Sequence, residues 1–200
     1  MGENAIQERA RQIFRAEAAA IEAVRVDSAF GAAIAAIEAC RGKVIATGMG
    51  KAGYSASRFA AVLCSTGTPA VFVHPGEAAH GDLGVIGPDD CLFAFSTSGK
   101  TREVVEMVEL SRHLGRHKVI AVTSHPHSEL RLVSDIIIDM GLIEEPCPLN
   151  LTPTASIAVM SAIADALALI VMERRSFTRK DYGLRHHGGY LGAKARLDNL

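Results

Sequence analysis

The 200 residues of the chain are 48% hydrophobic and 22% charged, enough to bury about 70% of the unfolded surface in one globular domain, which excludes intrinsic disorder. The formal net charge of -1 at pH 7 offers no basic surface to nucleic acid, so we expect no nucleic-acid partner. Charges interrupt every apolar run of membrane-spanning length and the N-terminus is too polar for a secretory signal, so we expect a cytoplasmic protein with no membrane partner.

Residues 1–42 predict two helices ahead of the main fold. Apolar residues recur there at helical spacing, and the pair Asp27-Ser28 is typical of the start of a second helix. The recurring residues are Ile6, Ala10, Ile13, Ile21 and Val24. We interpret this apolar stripe as a packing or oligomer surface.

From Lys43 onward, strands alternate with helices, which is typical of an α/β fold with a parallel, doubly wound sheet. Apolar runs predict strands over residues 44–47, 70–73, 91–95, 119–123 and 136–139. Helical patterns separate them over residues 52–64, 102–114 and 129–133. In such a sheet, ligands bind at the carboxyl ends of the strands, beside the switch in strand order. We therefore expect the functional residues in the loops that follow the strands.

The C-terminal part combines a long apolar helix with a polar tail. Apolar residues nearly encircle the helix predicted over 152–174, so we expect it to be buried on more than one side. The tail, residues 177–200, is rich in glycine but holds two adjacent histidines, His186 and His187. We therefore expect it to be more than a flexible end.

The segment STSGKT, residues 96–101, joins a predicted strand to a predicted helix. Such a turn leaves backbone N–H groups unpaired at the positive end of the helix dipole, and the hydroxyls of Ser96, Ser98 and Thr101 would add donors. The segment therefore predicts an anion site suited to phosphate, with simple helix capping by Ser98 or Thr101 as the alternative. A nucleotide-binding P-loop is disfavoured because Ala94 stands where that loop needs a glycine.

The segment GMGKAG, residues 48–53, follows the first strand and satisfies the dinucleotide pattern G-x-G-x-x-G. That pattern also expects an acid at the end of the second strand, where this chain has Val73-His74-Pro75, so the match is weak. We expect Lys51 to lie beside the anion site. A solvated loop lysine is the alternative interpretation.

Other loops carry groups capable of acid-base chemistry. Residues 74–84 hold two histidines and two acids, but their spacing matches no metal motif, so we expect no metal and take His80 as a polar contact of the pocket. Glu145 lies in a loop stiffened by prolines and would sit over a bound substrate, with a solvated turn as the alternative. Glu103 is a further candidate, although an acid in the first turn of a helix is also explained by the helix dipole.

The four cysteines are far apart and form no C-x-x-C pair, which disfavours a zinc knuckle or a redox dithiol. Cys40, Cys64 and Cys91 have apolar neighbours and are predicted to be small core residues. Cys147 differs because it lies between two prolines in the Glu145 loop.

These segments together resemble the sugar isomerase (SIS) domain of the D-arabinose 5-phosphate isomerases of the KdsD/KpsF/GutQ type. The resemblance runs from about Lys43 to Gly192 and rests on GMGKAG, STGTPAVFVHPGEAAHGDLG, STSGKT, EPCPLNLTPTAS and FTRKDYGLRHHGGYLG. HPGEAAHGDLG and CPL-x-L-x-PT-x-S are specific to this branch, whereas S-x-S-G-x-T marks SIS domains generally.

The resemblance implies one SIS domain over residues 1–200, with the α/β core in 43–176 and a tail, 177–200, that completes an active site. Its fold is expected to be a three-layer, flavodoxin-like sandwich in which helices flank a five-stranded parallel sheet, with extra N-terminal helices.

The resemblance also implies a homotetramer that interconverts D-arabinose 5-phosphate and D-ribulose 5-phosphate without a cofactor. The substrate phosphate is expected on Ser96, Ser98, Gly99 and Thr101. The positions that the family uses for chemistry are Lys51, Glu103, Glu145 and His186. Other residues expected in the pocket are Gly50, His80 and Lys100. The family supplies the C-terminal histidine, here His186, to the site of a neighbouring subunit.

The chain departs from the family pattern at two positions, with Lys100 in place of the usual Glu and His187 in place of a Pro. Neither change removes a catalytic position. The chain ends where longer relatives continue into a pair of CBS domains, so we expect no regulation through such domains.

Two other functions are compatible with the same motifs: a non-catalytic regulatory SIS module that binds phosphosugars, and an isomerase for a different sugar phosphate. A binding module needs the phosphate hydroxyls but has no reason to keep Lys51, Glu145 and His186 together. Their joint presence favours the enzyme.

Overall fold

The computed structural model describes residues 1–197, which are organised around a five-stranded sheet. The strands are β1 (Val44–Gly48), β2 (Ala70–Phe72), β3 (Cys91–Phe95), β4 (Lys118–Thr123) and β5 (Ile136–Asp139). All neighbours run parallel in the order β2-β1-β3-β4-β5, which confirms the predicted sheet. The direction of winding reverses between β1 and β3, so the carboxyl ends of these two strands flank the switch point.

Helices precede, connect and follow these strands. They are α1 (Glu3–Glu22), α2 (Ser28–Ala39), α3 (Gly50–Ser65), α4 (Pro75–Ala78), α5 (Arg102–Ser111), α6 (Glu129–Val133), α7 (Ala155–Arg174), α8 (Arg179–Arg185) and α9 (Gly189–Leu197). A short 3-10 helix, Asp82–Val85, follows α4. The two predicted N-terminal helices are confirmed, and the Asp27 carboxylate accepts a hydrogen bond from Ala29 N (2.9 Å) at the start of α2.

Helices cover both faces of the sheet, which gives the expected three layers. On one face, Phe59 of α3 packs edge-on against Phe93 and Phe95 of β3, with ring centroids 5.1 and 5.6 Å apart. On the other face, Leu92 and Ala94 of the same strand pack in the cluster that includes Met107. Because successive side chains of a strand point to opposite faces, β3 is buried on both sides, as its uninterrupted apolar run predicts.

The predicted strands end within about one residue of the observed ones, whereas two helices differ more. Helix α5 ends at Ser111, and the chain then passes close to Pro88, whose Cα would lie 2.6 Å from a Cβ on Gly115. Helix α7 begins at Ala155 instead of residue 152, just after Pro153. The region 74–84, treated above as a loop, contains α4 and the 3-10 helix.

Helix α7 packs against α1, α2 and α3, as its nearly all-round apolar surface predicts. Among the helices of residues 1–197, α7 alone has the length and apolar composition that a membrane-spanning helix needs. The buried side chains of α7 belong to the main hydrophobic core, so α7 is the core helix of this domain.

The tail is helical as far as residue 197. Helix α8 starts with a capping box between Thr178 and Asp181, and α9 folds back on α8. The last residues of the predicted tail, 198–200, lie outside the described part of the chain.

The prediction that three cysteines are core residues is correct for Cys91 and wrong for Cys64. Cys64 is exposed, and Cys40 is half-buried. Cys64 lies on the same stripe of α3 as Arg58 and Ala61, which are also exposed. Residues at this helical spacing share one face, and here that face points to solvent.

Candidate active site

A cavity of about 260 Å³ opens at the switch point of the sheet. The first turn of α3 with the preceding Met49, the loop after β3, and the segment that leads into α7 form its walls. The lining residues are Met49, Lys51, Ala52, Ser96, Thr97, Ser98, Thr101, Pro153 and Ile157. The structure therefore brings Lys51 together with three of the hydroxyl-bearing residues singled out from the sequence.

The loop after β3 forms a cradle of hydroxyl and amide groups. The Oγ of Ser96 lies 2.9 Å from Oγ1 of Thr101 and accepts a hydrogen bond from Gly99 N at 3.1 Å. The Oγ of Ser98 accepts one from Lys100 N at 3.2 Å. Thr101 bonds Ser96 and, within the described residues, makes no side-chain cap on α5. The first-turn N–H groups of α5 and the positive end of its dipole add to an anion site at this point.

The loop after β4 supports this cradle and was not identified from the sequence. Gly99 has a positive φ of 64°, and a Cβ at this position would lie 2.3 Å from Ser128 Oγ and 2.7 Å from Thr123 Oγ1. Ser124 N donates to the Thr97 carbonyl and Leu130 N to the Gly99 carbonyl, both at 3.0 Å. The available signal was a second cluster of Ser and Thr, residues 123–128, directly after a strand beside the switch point.

Replacing Gly99 with alanine is expected to weaken both folding and ligand binding. The added methyl meets two side-chain oxygens, and the left-handed backbone adds a cost of about 1 kcal/mol. We expect a lower melting temperature and a weaker affinity for inorganic phosphate, measured by thermal unfolding and calorimetry. Gly141 also has a positive φ, of 75°, but a Cβ there meets nothing within 4 Å. Gly141→Ala is therefore the matched control, and equal phosphate affinity in the two variants would contradict the account.

The glycines at the junction of β1 and α3 serve close packing of the backbone. A Cβ on Gly53 would lie 2.5 Å from the Gly48 carbonyl oxygen, and one on Gly48 would lie 3.0 Å from Phe95 O. Glycine at both positions lets α3 start directly against β1 and β3, which accounts for the G-x-G-x-x-G spacing. Gly50, with a φ of 58°, borders a separate cavity of about 220 Å³ together with His74.

Glu145 lies at the N-terminus of α7, beside the cavity wall. Its Oε2 accepts hydrogen bonds from Thr154 N and Ala155 N, both at 2.8 Å, and Oε1 accepts one from Ser156 N at 3.2 Å. Partial burial acts to raise the pKa of Glu145, but the hydrogen bonds from Ser156, Thr154 and Ala155 outweigh it and hold the pKa below its usual range. The solvated-turn interpretation is therefore wrong, since the carboxylate is fixed and ionised at neutral pH.

The other predicted pocket residues are exposed and lie outside the cavity lining. Glu103 is exposed in the first turn of α5, two residues after Thr101. Lys100 and His80 are exposed. Among residues 1–197, the side chains that line the cavity include neither of these two, nor Glu103 or Glu145. In the same part of the chain, no three His, Cys, Asp or Glu side chains are grouped to hold a metal ion.

His186 lies in the tail, near the end of the sheet at which the parallel strands begin. Its ring stacks on Tyr182 with centroids 3.8 Å apart, and its Nδ1 donates to the Tyr182 carbonyl at 3.0 Å. The neighbouring Arg185 reaches to 3.7 Å from a Cβ on Gly67, just past the end of α3. The cavity is at the other end of α3, which at 16 residues is about 24 Å long. The structure therefore does not bring His186 into the cavity of its own chain.

Comparison with known proteins relates this fold to one family. The family model described as the SIS domain matches residues 37–170. The arabinose 5-phosphate isomerase KdsD of Pseudomonas aeruginosa is 42% identical over 173 residues, which are 86% of this chain and 53% of that protein. KdsD of Escherichia coli K12 is 42% identical over 158 residues, 79% of this chain and 48% of that protein. The chain thus spans about half the length of these curated relatives.

A solved structure extends the likeness to nearly the whole chain. It is that of Escherichia coli CFT073 c3406 in complex with A5P, 35% identical to this chain, with a TM-score of 0.89. The match covers 93% of this chain and 100% of that one.

Proposed function

Because the chain belongs to the SIS domain family, we propose that it is an aldose-ketose isomerase that interconverts D-arabinose 5-phosphate and D-ribulose 5-phosphate. The observation that carries the proposal is the cavity at the switch point, where the hydroxyl cradle faces Lys51 and the capped start of α7. The relatives named above support the choice of substrate, since they are called arabinose 5-phosphate isomerases.

The cradle is proposed to hold the substrate phosphate. Ser96, Ser98 and Thr101 supply hydroxyl donors, and Gly99, with its positive φ, allows the tight turn that brings Ser96 and Thr101 together. A phosphate fixed at one end of a five-carbon sugar sets which carbons lie near the acid-base groups. The proton transfer can then be confined to the two carbons farthest from the phosphate.

The reaction moves one proton between adjacent carbons. A base removes the proton from C2 of the open-chain aldose, and the C1 carbonyl becomes the hydroxyl of an enediol. The proton then returns to C1 while the C2 hydroxyl loses its proton and becomes the ketone. The step needs a base at the carbons, an acid at the oxygens and a positive charge near the developing oxyanion.

We assign these roles to groups around the cavity. Lys51 would stabilise the negative charge that develops on the substrate oxygens. Glu145 would carry the proton between carbons, since its carboxylate is ionised at neutral pH. Glu103 would orient Lys51 or share the acid-base work. The hydrogen bonds that lower the pKa of Glu145 also make its carboxylate a weaker base.

We further propose a cytoplasmic homotetramer in which His186 assists ring opening in the cavity of a neighbouring subunit. The position of His186 near the amino ends of its own strands, away from its own cavity, supports this assignment. It also supports treating residues 1–200 as one SIS domain. In this proposal the core, 43–176, carries the cavity of its own chain, and the tail, 177–200, completes the cavity of a neighbouring subunit. Gly50, His80 and Lys100 are assigned to the outer part of the pocket.

The proposed substrate is tested by incubating the purified protein with pentose and hexose phosphates and analysing the products. We expect ribulose 5-phosphate to form from arabinose 5-phosphate much faster than any other aldose phosphate is converted. Faster conversion of a different sugar phosphate would overturn the substrate assignment while leaving the reaction class intact. The unphosphorylated sugar should be converted slowly, because the cradle then contributes no binding.

A further inference from the structure

Arg9 connects the N-terminal helix to the loop that carries Glu145. Its guanidinium donates one hydrogen bond from Nη2 to the Pro146 carbonyl and another from Nη1 to Gln12 Oε1 at 3.3 Å. Pro146 directly follows Glu145. Arg9 is half-buried, although the described residues of α1 include no fully buried side chain. Arg9 and Pro146 are 137 positions apart in sequence, so this hydrogen bond links α1 to the residue next to Glu145, the proposed proton carrier.

The loop from Glu145 to α7 is ordered by its own hydrogen bonds. Glu145 N donates to Asn150 Oδ1 at 2.8 Å, and Asn150 N donates to the Cys147 carbonyl at 2.9 Å. The Sγ of Cys147 accepts from Thr152 N at 3.3 Å and Leu151 N at 3.4 Å. These bonds all lie within the loop, so both its position and how readily it opens depend on its contacts with the rest of the molecule.

Besides the packing of Ile143 against the core, two hydrogen-bonded contacts link the loop to neighbouring helices. The Glu145 carboxylate ties the loop to the N-terminus of α7, and Arg9 ties it to α1. A cavity of about 440 Å³ lies between α1 and the segment just before Glu145. That cavity is lined by Ala16, Ala20, Ala23, Met140, Gly141, Leu142, Ile143 and Glu144. Pro146 and Pro148 restrict φ, so the backbone next to Glu145 has little freedom to absorb a shift at the Pro146 carbonyl.

We propose that Arg9 is a positioning residue for the isomerisation: its hydrogen bond to the Pro146 carbonyl holds the loop that carries Glu145 in the place that proton transfer requires. This inference rests on the proposed function. Arg9 does not touch the substrate in this account and acts through the loop. Misplacing a catalytic group by about 1 Å can cost up to a hundredfold in rate, so a single peripheral contact can matter.

The test compares Arg9→Met, which removes the donor and keeps much of the side chain, with Arg15→Met as a matched control. Arg15 is on the same helix and pairs at 3.8 Å with Glu8 of that helix. For Arg9→Met we expect kcat for arabinose 5-phosphate to fall roughly tenfold while KM stays within about twofold, because the phosphate cradle is untouched. Arg9→Lys should recover part of the lost kcat, since it restores a donor. Arg15→Met should match the unmodified protein.

Alkylation of Cys147 gives a second readout that does not depend on activity. Hydrogen bonds from Thr152 and Leu151 lower the pKa of the Cys147 thiol to about 7. In the unmodified protein, the rate of iodoacetamide labelling at Cys147, followed by peptide mass spectrometry, should therefore rise around pH 7. In Arg9→Met the loop loses its support, and the midpoint should move toward the ordinary value of about 8.5. Labelling of the exposed Cys64 in the same samples should not change.

The proposal is overturned if Arg9→Met and Arg15→Met give the same kcat, whatever happens to the labelling. It is also overturned if kcat falls while the Cys147 profile is unchanged, because the loop would then not transmit the effect. If the unmodified protein isomerises no sugar phosphate, the proposed function has failed by itself. The labelling comparison then still decides whether Arg9 positions the loop.

Discussion

A Glu145→Gln protein is expected to isomerise arabinose 5-phosphate at least about a hundredfold more slowly than the unmodified protein, which is the usual range for loss of a general base. The amide cannot accept the proton from C2. It also loses one of two acceptor oxygens that now bind the backbone of α7. The rate should be measured per mole of folded protein, so that the two effects are separated.

The same substitution should destabilise the fold in a pH-dependent way. The folded-state pKa of Glu145 lies below its ordinary value of 4.5, so the carboxylate contributes stability above that pH. The contribution is lost as pH falls through the folded pKa, because protonation removes the acceptor. A helix cap of this type contributes about 1 kcal/mol. Urea unfolding should therefore separate the two proteins at pH 7 and bring them together at acidic pH.

Glu144→Gln is the control for both measurements. Glu144 is the adjacent residue and is exposed, so the Glu144→Gln protein should have the rate and the stability of the unmodified protein. If Glu145→Gln retains the unmodified rate, Glu145 does not carry the proton, and Glu103 becomes the remaining carboxylate next to the cradle.

Mixing two inactive variants should restore activity if His186 serves a neighbouring subunit. We expect His186→Asn and Glu145→Gln to be separately at least tenfold slower than the unmodified protein, since each lacks one acid-base group. When the two are co-expressed, some cavities combine an intact Glu145 with an intact His186 from the next subunit. Random assembly gives such cavities in roughly a quarter of cases.

A site built within one chain predicts a different result. Every chain in the mixture then carries one defect, and activity should stay at the level of the separate variants. His187→Asn, at the adjacent exposed histidine, controls for damage to the tail. Recovery near a quarter of the unmodified activity, from hybrids isolated with two affinity tags, would support donation of His186 between subunits.

The sequence predicted the features that depend on local pattern. The uninterrupted apolar run of β3 indicated a strand buried on both faces, and the Ser/Thr/Gly turn after it indicated the cradle. The match to the SIS domain confirms the family resemblance that these segments suggested. Local pattern suffices here because the strand, its turn and the start of α5 are consecutive in the chain.

Contacts between distant segments could not be predicted in the same way. Ser128 meets Gly99 because β4 lies beside β3, and Arg9 meets Pro146 because α1 packs along α7. Neither contact leaves a periodic signal in the sequence. The orientation of Glu145 is a similar case, since an acid before a proline does not reveal which helix N-terminus it will cap. The error at Cys64 arose because apolar neighbours in sequence lie on other faces of the same helix.

The most direct test of the proposed isomerase follows arabinose 5-phosphate in D₂O with the unmodified protein, by NMR. The account predicts that ribulose 5-phosphate appears and that deuterium enters C2 of the recovered aldose, because an enediol exchanges its proton with solvent. Tight binding with neither product nor deuterium would contradict it and would identify a phosphosugar-binding regulatory module instead.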